Sequence, residues 1–363
     1  MITLDQLTKI FQTPDGPVVA ADHVDMHVPA GEICVLLGPS GCGKTTTLKM
    51  VNRIIPATSG RVLIDGQDTT TMDTISLRRG IGYVIQQVGL FPNMTIEENI
   101  SVVPKLLGWP KSKYLARAAE LLDLVALDPN AFLKRYPNEL SGGQQQRVGV
   151  IRALAADPPV MLMDEPFGAI DPINREIIQD EFLKMQQALN KSILFVSHDI
   201  DEAVKMGDKI AIFDSGKLIQ LDSPDKTLAM PATPFVESFV GSDRTLKRLT
   251  LAKSQSVAER NAAAIGTDDA PPEAGLRLEP LCIVDNDGRF QAWIRPDSAT
   301  AEAPPTTIHP NHDLRTATST LLRHGLSALP CVDADGQYVG LVTQAGIAEF
   351  LAWRTERMRE QHA

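Results

Sequence analysis

The octapeptide Gly38-Pro39-Ser40-Gly41-Cys42-Gly43-Lys44-Thr45 constrains this chain more than any other stretch. It follows five apolar residues, Ile33-Cys34-Val35-Leu36-Leu37, which read as a buried strand, and it precedes a helical pattern from Thr46 to Ile54. Its glycines let backbone N–H groups curl around an anion. The opening of a helix adds a favourable field there, and Lys44 reaches into the same space. Strand, glycine-rich turn and helix in that order predict a nucleotide phosphate site in an α/β fold, with Thr45 as a ligand for Mg²⁺.

The surrounding chain supports a covered parallel sheet. Ile81-Gly82-Tyr83-Val84-Ile85, Val160-Met161-Leu162-Met163 and Ile193-Leu194-Phe195-Val196 are further continuous apolar runs, which a sheet packed on both faces requires. Val24, Met26 and Val28 alternate with polar residues instead, as in a half-exposed antiparallel strand. From about 95 to 155 the spacing of Leu115, Ala118, Leu122 and Val125 predicts a helical insert. Residues 1 to 240 thus read as one α/β domain.

From 241 to 275, Ser254-Gln255-Ser256, Ala262-Ala263-Ala264 and Asp268-Asp269-Ala270-Pro271-Pro272 read as a linker. A small α+β domain is expected over 276 to 355, with a weak internal repeat. Leu281-Cys282-Ile283-Val284-Asp285-Asn286-Asp287-Gly288-Arg289-Phe290 echoes Leu329-Pro330-Cys331-Val332-Asp333-Ala334-Asp335-Gly336-Gln337-Tyr338, at an offset of 333 − 285 = 48. Each copy reads as a strand, a tight turn and a second strand.

Composition narrows the class. With 363 residues, the chain suits two or three folded units. A net charge of −10 speaks against a general nucleic-acid binder, which needs a broad basic field. No apolar stretch is long enough to span a membrane, and the first residues show no signal-peptide pattern. Four scattered cysteines fit a reducing compartment, and His309, His312 and His324 lack metal-ligand spacing. Cys42 reads as a tolerated small residue in the phosphate loop rather than a redox switch.

A phosphate loop that hydrolyses needs a carboxylate for the metal and another for water. Asp164-Glu165, at the end of an apolar run, offers both: Asp164 for Mg²⁺, Glu165 to polarise the attacking water. Leu140-Ser141-Gly142-Gly143-Gln144, ahead of a helical run, is a second possible anion cradle. One chain has one of each, so if both hold the same phosphate, two copies must meet head to tail.

The phosphate loop, the Leu140–Gln144 pentapeptide and the Asp164-Glu165 pair, in this order along the chain, resemble the nucleotide-binding subunit of an ABC transporter over residues 1 to 240. The resemblance implies an ATP sandwich dimer. One subunit holds the nucleotide through Gly38, Pro39, Ser40, Gly41, Cys42, Gly43, Lys44, Thr45 and Thr46, and its partner reaches in with Ser141, Gly142, Gly143 and Gln144. It also implies roles for Phe11 (stacking on adenine), Gln86 (the Q-loop glutamine, touching Mg²⁺ or the water), Asp171 (the D-loop aspartate) and His198 (the γ-phosphate switch). Mg²⁺ would fall to Thr45, Gln86 and Asp164.

Lys49-Met50-Val51-Asn52-Arg53, Ile81 to Gln87 and Val103 to Trp109 look like bacterial ATPases that energise uptake of glycine betaine, choline, carnitine and related quaternary amines. Leu329 to Thr343 is similar to a CBS module, carried by many of these proteins as a tandem pair. The first copy is eroded, with Cys282 where Pro330 stands and Ala292 where Gly340 stands. The resemblance therefore implies a peripheral homodimer on the cytoplasmic face of the inner membrane, working with membrane permease subunits and, indirectly, an extracytoplasmic binding protein. The alternatives are an importer ATPase for another small solute, such as a polyamine or an amino acid, or a soluble ABC ATPase outside transport.

Overall fold

The computed structural model describes every residue except 87–88, 169, 260–263, 268–279, 297, 299 and 361–363, and the side chains of 172–174. The chain divides into two compact units. The first is Met1–Thr227 with Ala232–Phe239, and the second is Leu228–Pro231 with Val240–Ala363.

In the first unit an antiparallel sheet is built from β1 (Ile2–Thr13), β2 (Gly16–Val28), β4 (Ser59–Ile64) and β5 (Gln67–Asp68), in the order β2-β1-β4-β5. A six-stranded sheet contains β3 (Ile33–Leu37), β6 (Ile81–Val84), β7 (Val160–Asp164), β8 (Ser192–Val196), β9 (Lys209–Asp214) and β10 (Lys217–Asp222), in the order β10-β9-β3-β8-β7-β6. Every residue of β3, β7 and β8 is buried, which is why those segments read as unbroken apolar runs. β3, β8, β7 and β6 are neighbours and parallel, so the loops after them emerge in a row at one sheet edge. Ligands of open α/β sheets bind at that carboxyl edge.

Helices α1 (Lys44–Val51) and α2 (Thr74–Arg79) precede the helical insert. The insert holds α3 (Ile96–Leu106), α4 (Lys111–Leu124), α5 (Pro129–Phe132) and α6 (Gly142–Leu154). Two starts are written in reciprocal capping boxes, Thr95 with Glu98 for α3 and Ser141 with Gln144 for α6. Helices α7 (Pro172–Leu189), α8 (Ile200–Met206), α9 (Pro224–Ala229) and α10 (Pro234–Val240) follow. Helix α1 begins at Lys44, two residues before the expected Thr46, because the left-handed Gly43 turns directly into it. It ends at Val51 rather than Ile54, and β6 ends at Val84, leaving Ile85 exposed. Among the described residues no helix is long and apolar enough to cross a membrane.

The second unit contains α11 (Arg244–Arg248), α12 (Gln255–Ala258), β11 (Ala264–Gly266), β12 (Leu281–Val284), β13 (Phe290–Ile294), β14 (Ala301–Glu302), α13 (Leu314–His324), β15 (Ala328–Val332), β16 (Tyr338–Thr343) and α14 (Gln344–Glu360). Much of 241–275, expected as a linker, is folded: Leu249, Ala252, Val257 and Ala258 lie in one buried cluster with Leu321, Leu329 and Phe350. The apolar spacing there is short and irregular, so it carries no periodic signal. The acidic Asp268-Asp269 stretch lies outside the described residues.

The 48-residue repeat has a physical form. Cys282 pairs with Trp293 as Pro330 pairs with Leu341, and both hairpins shift register at the same step, after Ile283 and after Cys331. Phe290 N–H donates to the Gly336 carbonyl at 2.9 Å, and Tyr338 N–H donates to the Gly288 carbonyl at 3.1 Å. Each bond is the other carried across by the offset, so a local two-fold relates the hairpins. The Phe290 and Tyr338 rings stack beside it, 6.1 Å apart.

Candidate nucleotide site

The phosphate loop leaves β3 in a conformation that only glycine allows at its tightest points. Gly38 has φ 147°, and a Cβ there would sit 2.2 Å from the Phe213 carbonyl oxygen. Gly43 has φ 103°, and a Cβ would sit 2.0 Å from the Ala20 oxygen. Lys44 Nζ donates to the carbonyls of Gly38 at 2.7 Å and Pro39 at 2.9 Å, so its charge is held beneath the loop.

Ser40, Gly41, Gly43, Lys44, Thr45, Thr46, Gln86, Glu165 and His198 line one cleft of about 490 Å³. They arrive from the loops after β3, β6, β7 and β8. Thr45 Oγ1 donates to Asp164 Oδ1 at 2.9 Å. Asp164 is 7% exposed, and burial pushes its carboxyl above the ordinary value of 3.8, against the opposing pull of Thr45 and Lys49. Glu165 faces the cleft between two partners. Gln86 Nε2 donates to its Oε2 at 2.9 Å, and His198 Nδ1 lies 3.5 Å from its Oε1. Glu165 adopts a left-handed φ of 47°, a conformation that costs a non-glycine residue roughly 1–2 kcal/mol and clusters at functional sites.

The donor set suits a hard cation. A hydroxyl, a carboxylate and an amide oxygen, from Thr45, Asp164 and Gln86, are the oxygen ligands that Mg²⁺ prefers beside phosphates. The glycine cradle, which added Cβ atoms would fill, suits a phosphate chain. Both ATP and Mg²⁺ therefore fit these residues.

Ser141, Gly142, Gly143 and Gln144 do not join that cleft. They line a separate cavity of about 580 Å³ with Gln146, Arg147 and Asp171, and the two cavities share no lining residue. Ser141 caps α6, accepting from Gln144 N–H at 3.4 Å, while the Gln144 side chain accepts from Ser141 N–H at 2.9 Å. Phe11 lies on β1 with Lys9 Nζ 4.9 Å from its ring centroid, and it does not line the phosphate cleft.

Two supports are new relative to the sequence reading. Glu202 is buried and accepts from Ser197 Oγ and from Gln179 Nε2 at 2.9 Å, and Ser197 Oγ also accepts from Asp199 N–H. It thereby grips both flanks of His198, and burial raises its carboxyl pKa. Asn99, fully buried, accepts from Phe91 N–H at 2.8 Å and donates back to the Phe91 carbonyl, fixing the segment after Gln86. The spacing Ser197-His198-Asp199 to Glu202 was the one visible signal, since Asp199 caps α8 and places Glu202 in its first turn.

A parallel sheet whose edge gathers a phosphate loop, an acidic pair and a histidine, beside a separate serine-capped, glycine-led helix start, defines an ABC-type ATPase. A family model described as ABC transporter matches residues 21–168, and one described as CBS domain matches 301–352. The osmoprotectant import ATP-binding protein OsmV of Salmonella typhimurium is 52% identical, covering 100% of this chain and 99% of that protein. The glycine betaine/carnitine/choline transport ATP-binding protein OpuCA of Bacillus subtilis is 42% identical over 97% of this chain and 96% of its own length. A solved dimeric ATP-binding cassette, in a post-hydrolysis state bound to ADP and Pi, is 33% identical with a TM-score of 0.55, covering 61% of this chain and 98% of that one. The chain belongs to the ATP-binding proteins of ABC transporters, as a transport ATPase with a C-terminal CBS domain.

Proposed function

We propose that this chain is the ATP-hydrolysing subunit of a bacterial importer for quaternary-amine osmoprotectants. It works as a homodimer on the cytoplasmic face of the inner membrane, beneath separate permease subunits fed by an extracytoplasmic binding protein. The observation that carries the chemistry is the convergence of Lys44, Thr45, Gln86, Glu165 and His198 on one cleft. The substrate class rests on the near end-to-end match to an osmoprotectant-import relative.

In this reading the loop N–H groups and Lys44 hold the phosphates and offset their charge. Thr45, Asp164 and Gln86 hold Mg²⁺, which draws electron density from the phosphate oxygens. Glu165, aimed by Gln86 and His198, orients the attacking water and accepts its proton. His198 steadies the γ-phosphate. Phe11 offers an apolar ring to the adenine. Ser141, Gly142, Gly143 and Gln144, with Asp171, close on the nucleotide of the partner subunit. The paired hairpins of the second unit act as a tandem CBS regulatory element that responds to ionic strength.

The test is uptake of radiolabelled glycine betaine, choline, a polyamine and an amino acid by proteoliposomes holding this chain and its membrane subunits. ATP-dependent accumulation of the quaternary amines alone is expected. Uptake of only the polyamine or the amino acid would overturn the substrate assignment.

A further inference from the structure

The phosphate cleft and the cavity at the start of α6 share no lining residue, yet one side chain connects them. Gln146 lines the cavity with Ser141 and Gly143, and its Nε2 donates to the carbonyl oxygen of Pro166, the residue after Glu165. It is 3% exposed, and it sits one turn along α6 from Gly142 and Gly143.

The far end of that bond is stiff. The proline ring locks φ at position 166 and so removes one of the soft torsions between the Pro166 carbonyl and the backbone of Glu165. Glu165 itself holds a left-handed φ of 47°, which persists only where its surroundings over-determine it. Its N–H donates to the Val196 carbonyl at 3.0 Å, and its carbonyl accepts from Gly168 N–H at 3.2 Å. Gln146 adds a pin from a different element. The neighbouring Arg147 anchors the same helix turn, with Nε 3.2 Å from Glu181 on α7 and Nη1 donating to the Val125 carbonyl at 3.2 Å. A shift at the start of α6 therefore pulls on the Glu165 turn instead of being absorbed by a sliding helix.

We infer that Gln146 is a positioning residue for Glu165, and that it links the signature end of α6 to the water-orienting carboxylate of the same chain. Resting on the composite-site reading above, this makes hydrolysis in one cleft respond to whether the same subunit has closed on its partner's nucleotide. The coupling runs through the buried Gln146 amide, across 20 residues of sequence to Pro166.

Gln146→Met keeps an unbranched side chain of similar length and removes the donor. The expected result is a fall in kcat for ATP hydrolysis of about tenfold, with KM changed less than about twofold. ATP-dependent dimerisation, measured by light scattering in a Glu165→Gln background, should be unchanged, because the role runs through Glu165. Gln146→Asn, too short to reach Pro166, should give the same split. Unchanged kcat, a rise in KM with loss of dimerisation, or loss of folding in both variants would overturn the proposal. Absence of both hydrolysis in the parent chain and ATP-dependent dimerisation in Glu165→Gln would instead overturn the composite-site reading itself.

Discussion

Thr45 and Asp164, 119 residues apart, meet through a 2.9 Å hydrogen bond at the carboxyl edge of the sheet. The bond spans β3, β8 and β7 and closes the oxygen cluster proposed for the cation. Burial holds the Asp164 carboxyl above its ordinary value of 3.8.

That raised pKa has a stability consequence. Between the unfolded value and the raised folded value, the native state binds more protons than the unfolded one. Stability is therefore lost as pH rises through that window, and the ionised carboxylate opposes folding above it. Asp164→Asn keeps an oxygen for Thr45 and removes the charge. It should raise the Tm of the nucleotide-free protein at pH 7, while abolishing the Mg²⁺-dependent stabilisation by ATP. Calorimetry with and without Mg·ATP checks both signs.

The separation of the two cavities predicts complementation between damaged subunits. Ser141→Arg should block hydrolysis while monomers still bind ATP, and Lys44→Ala should weaken nucleotide binding itself. Mixed in equal amounts, half of the dimers carry one site with both motifs intact, so about a quarter of the parental sites are whole. ATPase activity of the mixture should exceed that of either variant alone. No rescue at any ratio would contradict the trans arrangement.

Thiol chemistry offers an independent check on the packing. Burial pushes Cys34 and Cys331 up to about 12 and Cys282 up to about 11. These three should resist a thiol-disulfide reagent at pH 8 in the native protein and react together on denaturation. Labelling kinetics followed by peptide mapping would show it.

The two-fold between the hairpins predicts equal effects at equivalent positions. Phe290→Ala and Tyr338→Ala each remove one ring of the stack. Each should lower the stability of the second unit by about 1–3 kcal/mol, and the double variant by less than the sum. Denaturant titrations of the two single variants and the double variant measure that coupling.

The parts of this molecule that were legible in the sequence are those whose chemistry demands fixed residue types at fixed spacing. The phosphate loop, Glu165 and His198 each follow a buried strand, Asp164 ends one, and strands buried on both faces announce themselves as apolar runs. The hairpin repeat was readable because its Asp-x-Asp-Gly turns recur, with Asp285 and Asp333 each accepting from the backbone N–H two residues on. Gln146 was not readable, and Glu202 only through the helix cap at Asp199. Their partners are Pro166 and Gln179, contacts set by how helices pack against the sheet, and a glutamine or glutamate on a helix otherwise reads as a solvated face. The folding of 244–258 into the second unit was hidden for the same reason, since short helices in a polar stretch show no period.

The central claim is that Glu165 is the group on which hydrolysis turns. Glu165→Gln preserves shape but cannot accept the proton of water. Steady-state ATPase activity of the purified chain, measured beside its oligomeric state by light scattering, tests this most directly. The account predicts a loss in kcat of about a hundredfold or more, with a dimer that forms only when ATP is present. A Glu165→Gln chain that turned over ATP at the parental rate would contradict it.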